Sequence, residues 1–235
     1  DTTVSVEIKS LKHIVKKAFN DGQMEKNPFA YYYYFADQPE IEYLTEEEIN
    51  KLIIGKVKQQ RQDRTRDMFL FCCFTGLSYA DLAKLSYEEL KQTPNGAWWI
   101  SSIRQKTKVP FTVKLLPVAK AILEKYRIPA NRFNRLFPEN PGKVFPVASL
   151  KSSDVCLKHI ARQCEITKNL KFHMARHTFA TTVSLMNGIP LETVSKMLGH
   201  KYTTTTQIYA KVTNQMIDNA ISRIEDQIGE QFQFL

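Results

Sequence analysis

The chain has 235 residues, of which 43% are apolar and 24% are charged, a composition typical of a globular protein with one large domain. Its 33 basic and 24 acidic residues leave a net charge of +9, which favours a polyanionic partner such as nucleic acid. No apolar run is long enough for a membrane span and the first residues carry no signal-peptide pattern, so we expect no membrane partner. Because the sequence begins at Asp1 rather than at a methionine, we interpret it as a piece of a longer protein.

Four cysteines lack the spacing of metal ligands, and two of them are adjacent in an apolar stretch. They are Cys72, Cys73, Cys156 and Cys164. We expect reduced core residues of an intracellular protein, with neither a disulfide framework nor a metal site.

Apolar periodicity, capping residues and turn residues predict the secondary structure. We expect helices over residues 4–20, 46–53, 68–74, 79–85, 117–126, 149–164 and 216–232. Three strands are predicted over residues 88–93, 97–103 and 109–115, joined by hairpin turns. Thr45 and Glu48 form a capping box before the second helix. The segment 131–146, rich in Pro and Asn, is predicted to be irregular.

The segment 172–212 contains most of the side chains that could bind a phosphate or take part in catalysis. His173, Arg176 and His177 lie on one face of a helix, because residues three and four apart are neighbours. An arginine fork is well suited to bind two oxygens of one phosphate. This face therefore predicts a phosphate site.

Two further short helices follow in the same segment. Asn187-Gly188 predicts the end of the first helix, and Pro190 is predicted to be the first residue of the next. Gly199 predicts its end, after which a run of threonines offers caps for a third helix that carries Tyr209. Taken singly, these features have simpler readings. The stretch could be a helix-turn-helix element with Gly188 in the turn, His173 and His177 could be core or capping histidines, and Tyr209 could be a packing tyrosine.

The combination of motifs is more specific than any one of them. The pattern H-x-x-R at His173–Arg176, then Leu198-Gly199-His200, then Tyr209 nine residues after His200 resembles the catalytic core of the tyrosine recombinases, the phage integrase family. The resemblance is firm from about residue 40 to residue 214. It implies a mainly α fold with a small three-stranded antiparallel β-sheet, of the tyrosine recombinase/type IB topoisomerase kind.

The resemblance also implies a domain organisation. Residues 1–38 look like the C-terminal helix of a truncated core-binding domain plus a linker. Residues 39–235 look like the catalytic domain, with a C-terminal helix over about residues 213–235. A terminal amphipathic helix usually packs onto its own domain, but in the family such a segment often docks on a neighbouring protomer, and the sequence does not distinguish the two arrangements.

The residues of the motif can perform strand cleavage without a metal. Tyr209 offers a nucleophile, Arg176 and His200 can neutralise and hydrogen-bond the phosphate, and His173 can exchange the tyrosine proton. Lys106, in the predicted second hairpin, matches the lysine that the family uses as acid for the departing 5′ oxygen. By resemblance, cleavage yields a 3′-phosphotyrosine and a free 5′ hydroxyl, with no metal, ATP or other cofactor.

One position departs from the family pattern. The first catalytic arginine of the family normally follows Thr-Gly-Leu, but here Ser78 follows Thr75-Gly76-Leu77. A serine hydroxyl supplies no positive charge, and the loss of one such donor costs about 2 to 4 kcal/mol of transition-state stabilisation. Either Arg66 or Arg104 replaces the charge, or the site runs slowly, or the protein binds DNA without cutting it. Asp81 is expected to bond the backbone or His177.

The sequence thus favours a site-specific recombinase or integrase that acts in the integration and excision of a mobile element. The alternatives are a non-catalytic DNA-binding relative and a type IB topoisomerase-like enzyme. The expected partners are double-stranded DNA and other protomers in a synaptic tetramer, and the resemblance leaves room for a host DNA-bending protein. The expected location is the bacterial cytoplasm, at the nucleoid.

Overall fold

The structure is a computed structural model that describes residues 2–32, 41–128, 130–138, 141–209 and positions 218, 221, 222 and 225. The chain divides into two compact units, Asp1–Glu40 and Ile41–Leu235, each of which is described by itself. The predicted C-terminal helix of about 213–235 lies almost entirely outside the described residues. None of the helices in the described part of the chain is long and apolar enough to cross a membrane.

The first unit consists of one helix and the turns that follow it. Helix α1 spans Thr2–Asn20, as the apolar spacing predicted, and the chain turns at Gly22 with a φ of 73°. The Lys12 Nζ atom donates a hydrogen bond to the carbonyl oxygen of Tyr32 at 2.6 Å, which ties the following segment back to the helix.

The second unit is mainly helical, as predicted. Its α-helices are α2 (Glu46–Ile54), α3 (Gln60–Thr75), α4 (Tyr79–Lys84), α5 (Pro117–Lys125), α6 (Ala130–Leu136), α7 (Leu150–Gln163), α8 (Phe172–Thr178) and α9 (Leu191–Leu198). A π-helical turn, Phe179–Ser184, continues α8, and short 3₁₀ turns cover Tyr87–Glu89, Leu185–Asn187, Thr203–Thr205 and Gln207–Tyr209.

The sheet is the predicted three-stranded antiparallel meander. Its strands are β1 (Leu90–Gln92), β2 (Trp98–Ile103) and β3 (Pro110–Lys114), in the order β1-β2-β3. Ile100 of β2 pairs with Val113 of β3, and both residues are buried in the core. Strand β1 is shorter than predicted because residues 87–89 form a 3₁₀ turn.

Helix α3 lies at the centre of the core. It buries Phe69, Phe71 and the adjacent pair Cys72 and Cys73, and its apolar second half explains why the sequence signal was strong there. All four cysteines are free and buried, as predicted. The helix begins at Gln60 rather than at residue 68, so the basic stretch that precedes the apolar run is helical as well.

Three further features differ from the sequence predictions. Helix α6 lies in the segment that was predicted to be irregular. The prediction was wrong there because the segment is polar and flanked by prolines, so it shows no apolar helical periodicity. Pro190 precedes α9 as its cap rather than opening it. The threonine run forms 3₁₀ turns, not an α-helix, up to Tyr209.

Candidate active site

Arg176 is the most buried charged residue of the site. Only 2% of it is exposed, and its guanidinium donates to the carbonyl oxygens of Gly76 at 2.7 Å and Leu198 at 2.5 Å. Gly76 ends α3 with a φ of 70°, and a Cβ atom there would lie 2.5 Å from the ring of Phe179. The end of α3, helix α8 and the end of α9 therefore meet at this guanidinium.

The two histidines of α8 lie against each other and reach Tyr209. The ring centroids of His173 and His177 are 4.3 Å apart. The Tyr209 hydroxyl lies 2.9 Å from Nδ1 of His177, and 6% of Tyr209 is exposed. The histidine that is hydrogen-bonded to the tyrosine hydroxyl is thus His177, whereas the sequence analysis assigned the exchange of the tyrosine proton to His173.

His200 is placed by the turn that ends α9. The N–H of His200 donates to the carbonyl of Ser195 at 3.1 Å, and Gly199 donates to Lys196 at 3.0 Å with a φ of 62°. Such a pair of bonds, from the two residues after the helix back to carbonyls of its last turn, is a common way in which a left-handed glycine ends a helix. The Nδ1 atom of His200 is hydrogen-bonded to the Thr206 hydroxyl at 2.8 Å.

Arg104 lies at the end of β2 and forms a buried ion pair with Asp81 of α4. Asp81 also accepts hydrogen bonds from the Ser78 hydroxyl at 2.6 Å and from the backbone N–H of Gln105 at 2.9 Å. The expectation that Asp81 bonds the backbone is met, but the alternative partner, His177, is bonded to Tyr209 instead. Asp81 therefore joins the position of the missing arginine to a different arginine.

Ser78 caps the N-terminus of helix α4. Its hydroxyl accepts from the N–H of Asp81 at 3.3 Å, and the Asp81 carboxylate reaches back to the N–H of Ser78, which together form a capping box for α4. The residue in the arginine position is thus a helix cap.

Lys106 lies in the exposed turn between β2 and β3. The neighbouring Thr107 hydroxyl donates to the carbonyl of Gly199 at 3.0 Å, which holds this turn beside the residue that precedes His200. The positive charge of Lys106 is one of the causes that lower the pKa of His173. The turn that carries Lys106 therefore lies close to His173 and His200.

Arg66 lies elsewhere in the fold. Its guanidinium binds the carbonyl of Gly55 and the carboxylate of Asp63 at 2.5 Å, within and beside its own helix. Burial raises the pKa of Cys164, and the charge of Arg66 opposes that rise, but Arg66 is not among the charges that shift the pKa of Tyr209. Of the two arginines that the sequence offered as substitutes, the structure brings only Arg104 to the other site residues.

Burial and two arginines set the protonation of the site. Burial, with the charge of Arg104, lowers the pKa of Arg176 to about 9. Because this value is still above neutral pH, Arg176 remains charged there. Burial, with the charges of Arg176 and Arg104, lowers the pKa of His200 to about 4. Burial raises the pKa of Tyr209, and the same two arginines oppose that rise.

Similar causes lower the pKa of both histidines of α8. Burial lowers the pKa of His177 to about 4, assisted by His173 and Arg176. Burial also lowers the pKa of His173, together with the charges of Arg176, Arg104 and Lys106. At neutral pH these imidazoles can each donate from one nitrogen and accept at the other.

Two contacts were missed by sequence reasoning. His177 was noted on the same helix face as His173, and that spacing was the signal for its approach to Tyr209. Thr206 carried no such signal, since its bond to His200 depends on how the turn after α9 folds back.

Within the described part of the chain, no group of three or more His, Cys, Asp or Glu side chains is arranged to hold a metal ion.

Comparison with known proteins identifies the family of this chain. Residues 42–216 match the model of the phage integrase family. The chain belongs to that family, the tyrosine recombinases.

Its relatives by sequence carry the same name. The tyrosine recombinase XerC of Listeria monocytogenes serotype 4b is 25% identical over 224 residues, which cover 91% of this chain and 72% of that protein. The tyrosine recombinase XerA of Pyrococcus furiosus is 31% identical over 194 residues, which cover 79% of this chain and 64% of the relative.

Solved structures share the fold. The Tn1549 transposon integrase in complex with transposon right end DNA has a TM-score of 0.65 at 18% identity, over 96% of this chain and 79% of that one. The XerH site-specific recombinase in a post-cleavage complex has a TM-score of 0.62 at 22% identity, over 80% of this chain and 54% of that one. This chain thus spans about half of the XerH chain.

Proposed function

We propose that this chain is the catalytic part of a site-specific DNA recombinase that integrates and excises a mobile element. The observation that carries the proposal is the approach of a buried tyrosine, two arginines and three histidines from separate elements to one site. The mobile-element role is supported by the similarity to a transposon integrase bound to its transposon end, which covers 96% of this chain.

In the proposed reaction, the Tyr209 oxygen attacks the scissile phosphorus and the bond from phosphorus to the 5′ oxygen breaks. The product is a 3′-phosphotyrosine ester, and a 5′ hydroxyl of another strand reseals it by the reverse steps. The ester preserves the bond, so resealing consumes no ATP and the residues above supply the acid, base and positive charge.

Each proposed role has a physical basis. Arg176 is fixed by two backbone carbonyls, so its remaining N–H groups are held ready for a non-bridging phosphate oxygen. His200 donates a hydrogen bond to the same phosphate, and His173 takes and returns the tyrosine proton. Lys106, in the exposed turn, protonates the departing 5′ oxygen.

Arg104 is the proposed replacement for the absent first arginine. It reaches the site from β2, it is held by Asp81, and its charge acts on Tyr209, His200 and Arg176. A fixed guanidinium in a buried site supplies the positive charge that Ser78 cannot supply.

A non-catalytic DNA-binding relative is the second candidate. The observation in its favour is that the Ser78 hydroxyl is bonded to Asp81 at 2.6 Å and offers no cation. This second candidate gives no reason for the charge of Arg104, in addition to that of Arg176, to act on Tyr209. A type IB topoisomerase-like enzyme would use the same chemistry, and relaxation of supercoiled DNA by the monomer would favour it.

Double-stranded DNA and further protomers are the proposed partners, in a synaptic tetramer. An apolar cavity of about 670 Å³ between α2, the π-helical turn and α9 is a candidate acceptor for the C-terminal segment of a neighbouring protomer. The segment beyond Tyr209 carries a stripe of isoleucines, including Ile217, Ile221 and Ile224, that would match an apolar surface. A host DNA-bending protein and a place at the bacterial nucleoid remain parts of the same proposal.

Truncation after residue 212 tests the proposed protomer contact. The shortened chain is expected to bind a single half-site as before but to lose cooperative assembly on a full site. Met197→Glu, in the cavity wall, is expected to reproduce this loss with the segment intact. Full cooperativity in both variants would contradict the proposed contact.

The strand-cleavage proposal is tested with a nicked suicide DNA that carries a recombination site and loses a short fragment after cleavage. Incubation in EDTA is expected to give an SDS-resistant protein–DNA band, and Tyr209→Phe is expected to give none. Binding of that DNA by both proteins without a band from either would favour the non-catalytic relative.

A further inference from the structure

The side chain of Thr206 is completely enclosed. None of its surface is exposed, and among the described residues its hydroxyl has one hydrogen-bond partner, Nδ1 of His200 at 2.8 Å. No other titratable or polar group of the described chain competes for that hydroxyl.

The direction of this hydrogen bond follows from the surroundings of the hydroxyl. A buried hydroxyl needs an acceptor for its proton, and Nδ1 of His200 is the one acceptor that the described residues offer. If Nδ1 carried the proton instead, both groups would present hydrogens to each other or the Thr206 proton would be left without a partner. The hydroxyl therefore donates, and Nδ1 accepts.

We propose that Thr206 is a positioning residue that fixes His200 in the tautomer protonated on Nε2, the nitrogen that this contact leaves available to the scissile phosphate. The proposal rests on the phosphate-binding role proposed above for His200. A neutral imidazole has one N–H, so its donating nitrogen is decided by the hydrogen bond at the other nitrogen. With Nδ1 occupied as an acceptor, the imidazole presents a donor, rather than a lone pair, to a phosphate oxygen.

The electrostatic surroundings keep His200 in the neutral form to which this argument applies. Burial and the charges of Arg176 and Arg104 lower its pKa to about 4. These two guanidiniums are the charged groups that act on the ring, and both disfavour a second proton. At neutral pH the ring consequently holds one proton, and its position matters.

Thr206 also links His200 to the nucleophile through the backbone. Its N–H donates to the carbonyl of Thr203 at 2.8 Å, and its carbonyl accepts from the N–H of Tyr209 at 3.0 Å. The residue that orients His200 thus lies inside the turn that leads to Tyr209. Loss of the hydroxyl should affect the imidazole while leaving these backbone bonds in place.

Thr206→Val and Thr206→Ser test the hydroxyl directly, because valine keeps the shape and serine keeps the oxygen. Long-range ¹⁵N NMR of the full chain at pH 7 reports the tautomer of His200, which a His200→Gln spectrum assigns. Wild type and Thr206→Ser are expected to show the proton on Nε2, and Thr206→Val a mixture of tautomers. A proton on Nδ1 in wild type, or an unchanged tautomer in Thr206→Val, would overturn the proposal.

Cleavage kinetics on the suicide DNA provide the functional readout. Thr206→Val is expected to cleave about 10- to 100-fold more slowly with unchanged DNA affinity, and Thr206→Ser to restore most of the rate. Thr205→Val is the matched control, since it removes a neighbouring exposed hydroxyl for which the structure gives no side-chain hydrogen bond. A Thr206→Val protein that cleaves at the wild-type rate refutes the positioning role. If wild type itself forms no adduct, the proposed function fails, while the NMR measurement still decides the tautomer.

Discussion

The Tyr209 hydroxyl and Nδ1 of His177 are 2.9 Å apart, in a partly buried contact between the 3₁₀ turn Gln207–Tyr209 and α8. Burial raises the pKa of Tyr209, and the nearby charges of Arg176 and Arg104 work against that rise. The tyrosine is thus protonated at neutral pH, hydrogen-bonded and close to the charges that would stabilise its anion. His177 joins His173 as a group through which the tyrosine proton can leave.

Removal of His177 should destabilise the protein through this contact. His177→Phe leaves the buried Tyr209 hydroxyl without its partner, which is expected to cost about 1 to 3 kcal/mol in the free energy of unfolding. Urea denaturation of wild type, His177→Phe, Tyr209→Phe and the double variant gives the coupling between the two residues. A coupling of about 1 kcal/mol is expected. Additive effects of the two single variants would show that the contact contributes nothing.

Stability should fall as the pH is lowered from neutral towards 4. The pKa of His177 and that of His200 are each about 4 in the folded protein, below the ordinary value of about 6.5 in an unfolded chain. Between these values the unfolded state binds more protons, so the free energy of unfolding rises with pH and is lost on acidification. Urea midpoints at pH 7.5 and pH 5 measure the change.

His177→Asn is the control for that pH dependence, because asparagine does not titrate. His173 and Arg176 are the charged or titratable neighbours that lower the pKa of His177, and both remain in this variant. The difference between the two midpoints is expected to be smaller than in wild type, whatever the absolute stability. An equal difference would mean that His177 does not contribute.

Arg104 should be required for cleavage, whereas Arg66 should not. Arg104→Gln removes the proposed phosphate-directed charge and is expected to slow cleavage about 100-fold or more. Because the change also leaves the buried carboxylate of Asp81 unpaired, the double variant with Asp81→Asn separates catalysis from folding. Suicide-substrate kinetics, with circular dichroism for folding, provide the measurement.

Arg66→Gln is the matched control for Arg104. Arg66 is also bound to a carboxylate and a backbone carbonyl, but at Asp63 and Gly55, away from the tyrosine. Its variant is expected to cleave at nearly the wild-type rate. Slow cleavage by Arg66→Gln and normal cleavage by the Arg104 variants would reverse the assignment.

Gly76→Ala should be much more damaging than Gly96→Ala. Both glycines have positive φ, so alanine at either position is expected to cost about 1 to 2 kcal/mol from the backbone alone. A Cβ at Gly76 would also lie 2.5 Å from Phe179, whereas a Cβ at Gly96 meets nothing within 4 Å. Thermal unfolding measures the difference, and equal losses would contradict the close packing at Gly76.

The sequence predicted much of the fold because local signals agreed with the tertiary structure. The capping box at Thr45, the apolar half of α3 and the hairpin strands all combine a local preference with the correct buried face. Helix α6 was missed because its polar residues gave no periodic apolar pattern. The arginine-rich first half of α3 was not predicted to be helical for the same reason.

The site was predictable where residues share one element and less so where elements meet. His173, Arg176 and His177 follow from helical spacing alone, and the motif pointed to His200 and Tyr209. The choice between Arg66 and Arg104 could not be made, because it depends on where β2 ends relative to Asp81. Nor could spacing reveal that Thr206 folds back onto His200.

In the proposed reaction Tyr209 becomes covalently joined to DNA, and mass spectrometry of the adduct is the most direct test of this step. The suicide complex formed in EDTA would be digested with trypsin and nuclease, and the residual nucleotide would be located by fragmentation. We expect a 3′-linked nucleotide on the peptide that contains Tyr209, with a free 5′ hydroxyl on the other DNA fragment. A nucleotide on any other residue, or a 5′-phosphate linkage to the protein, would contradict it.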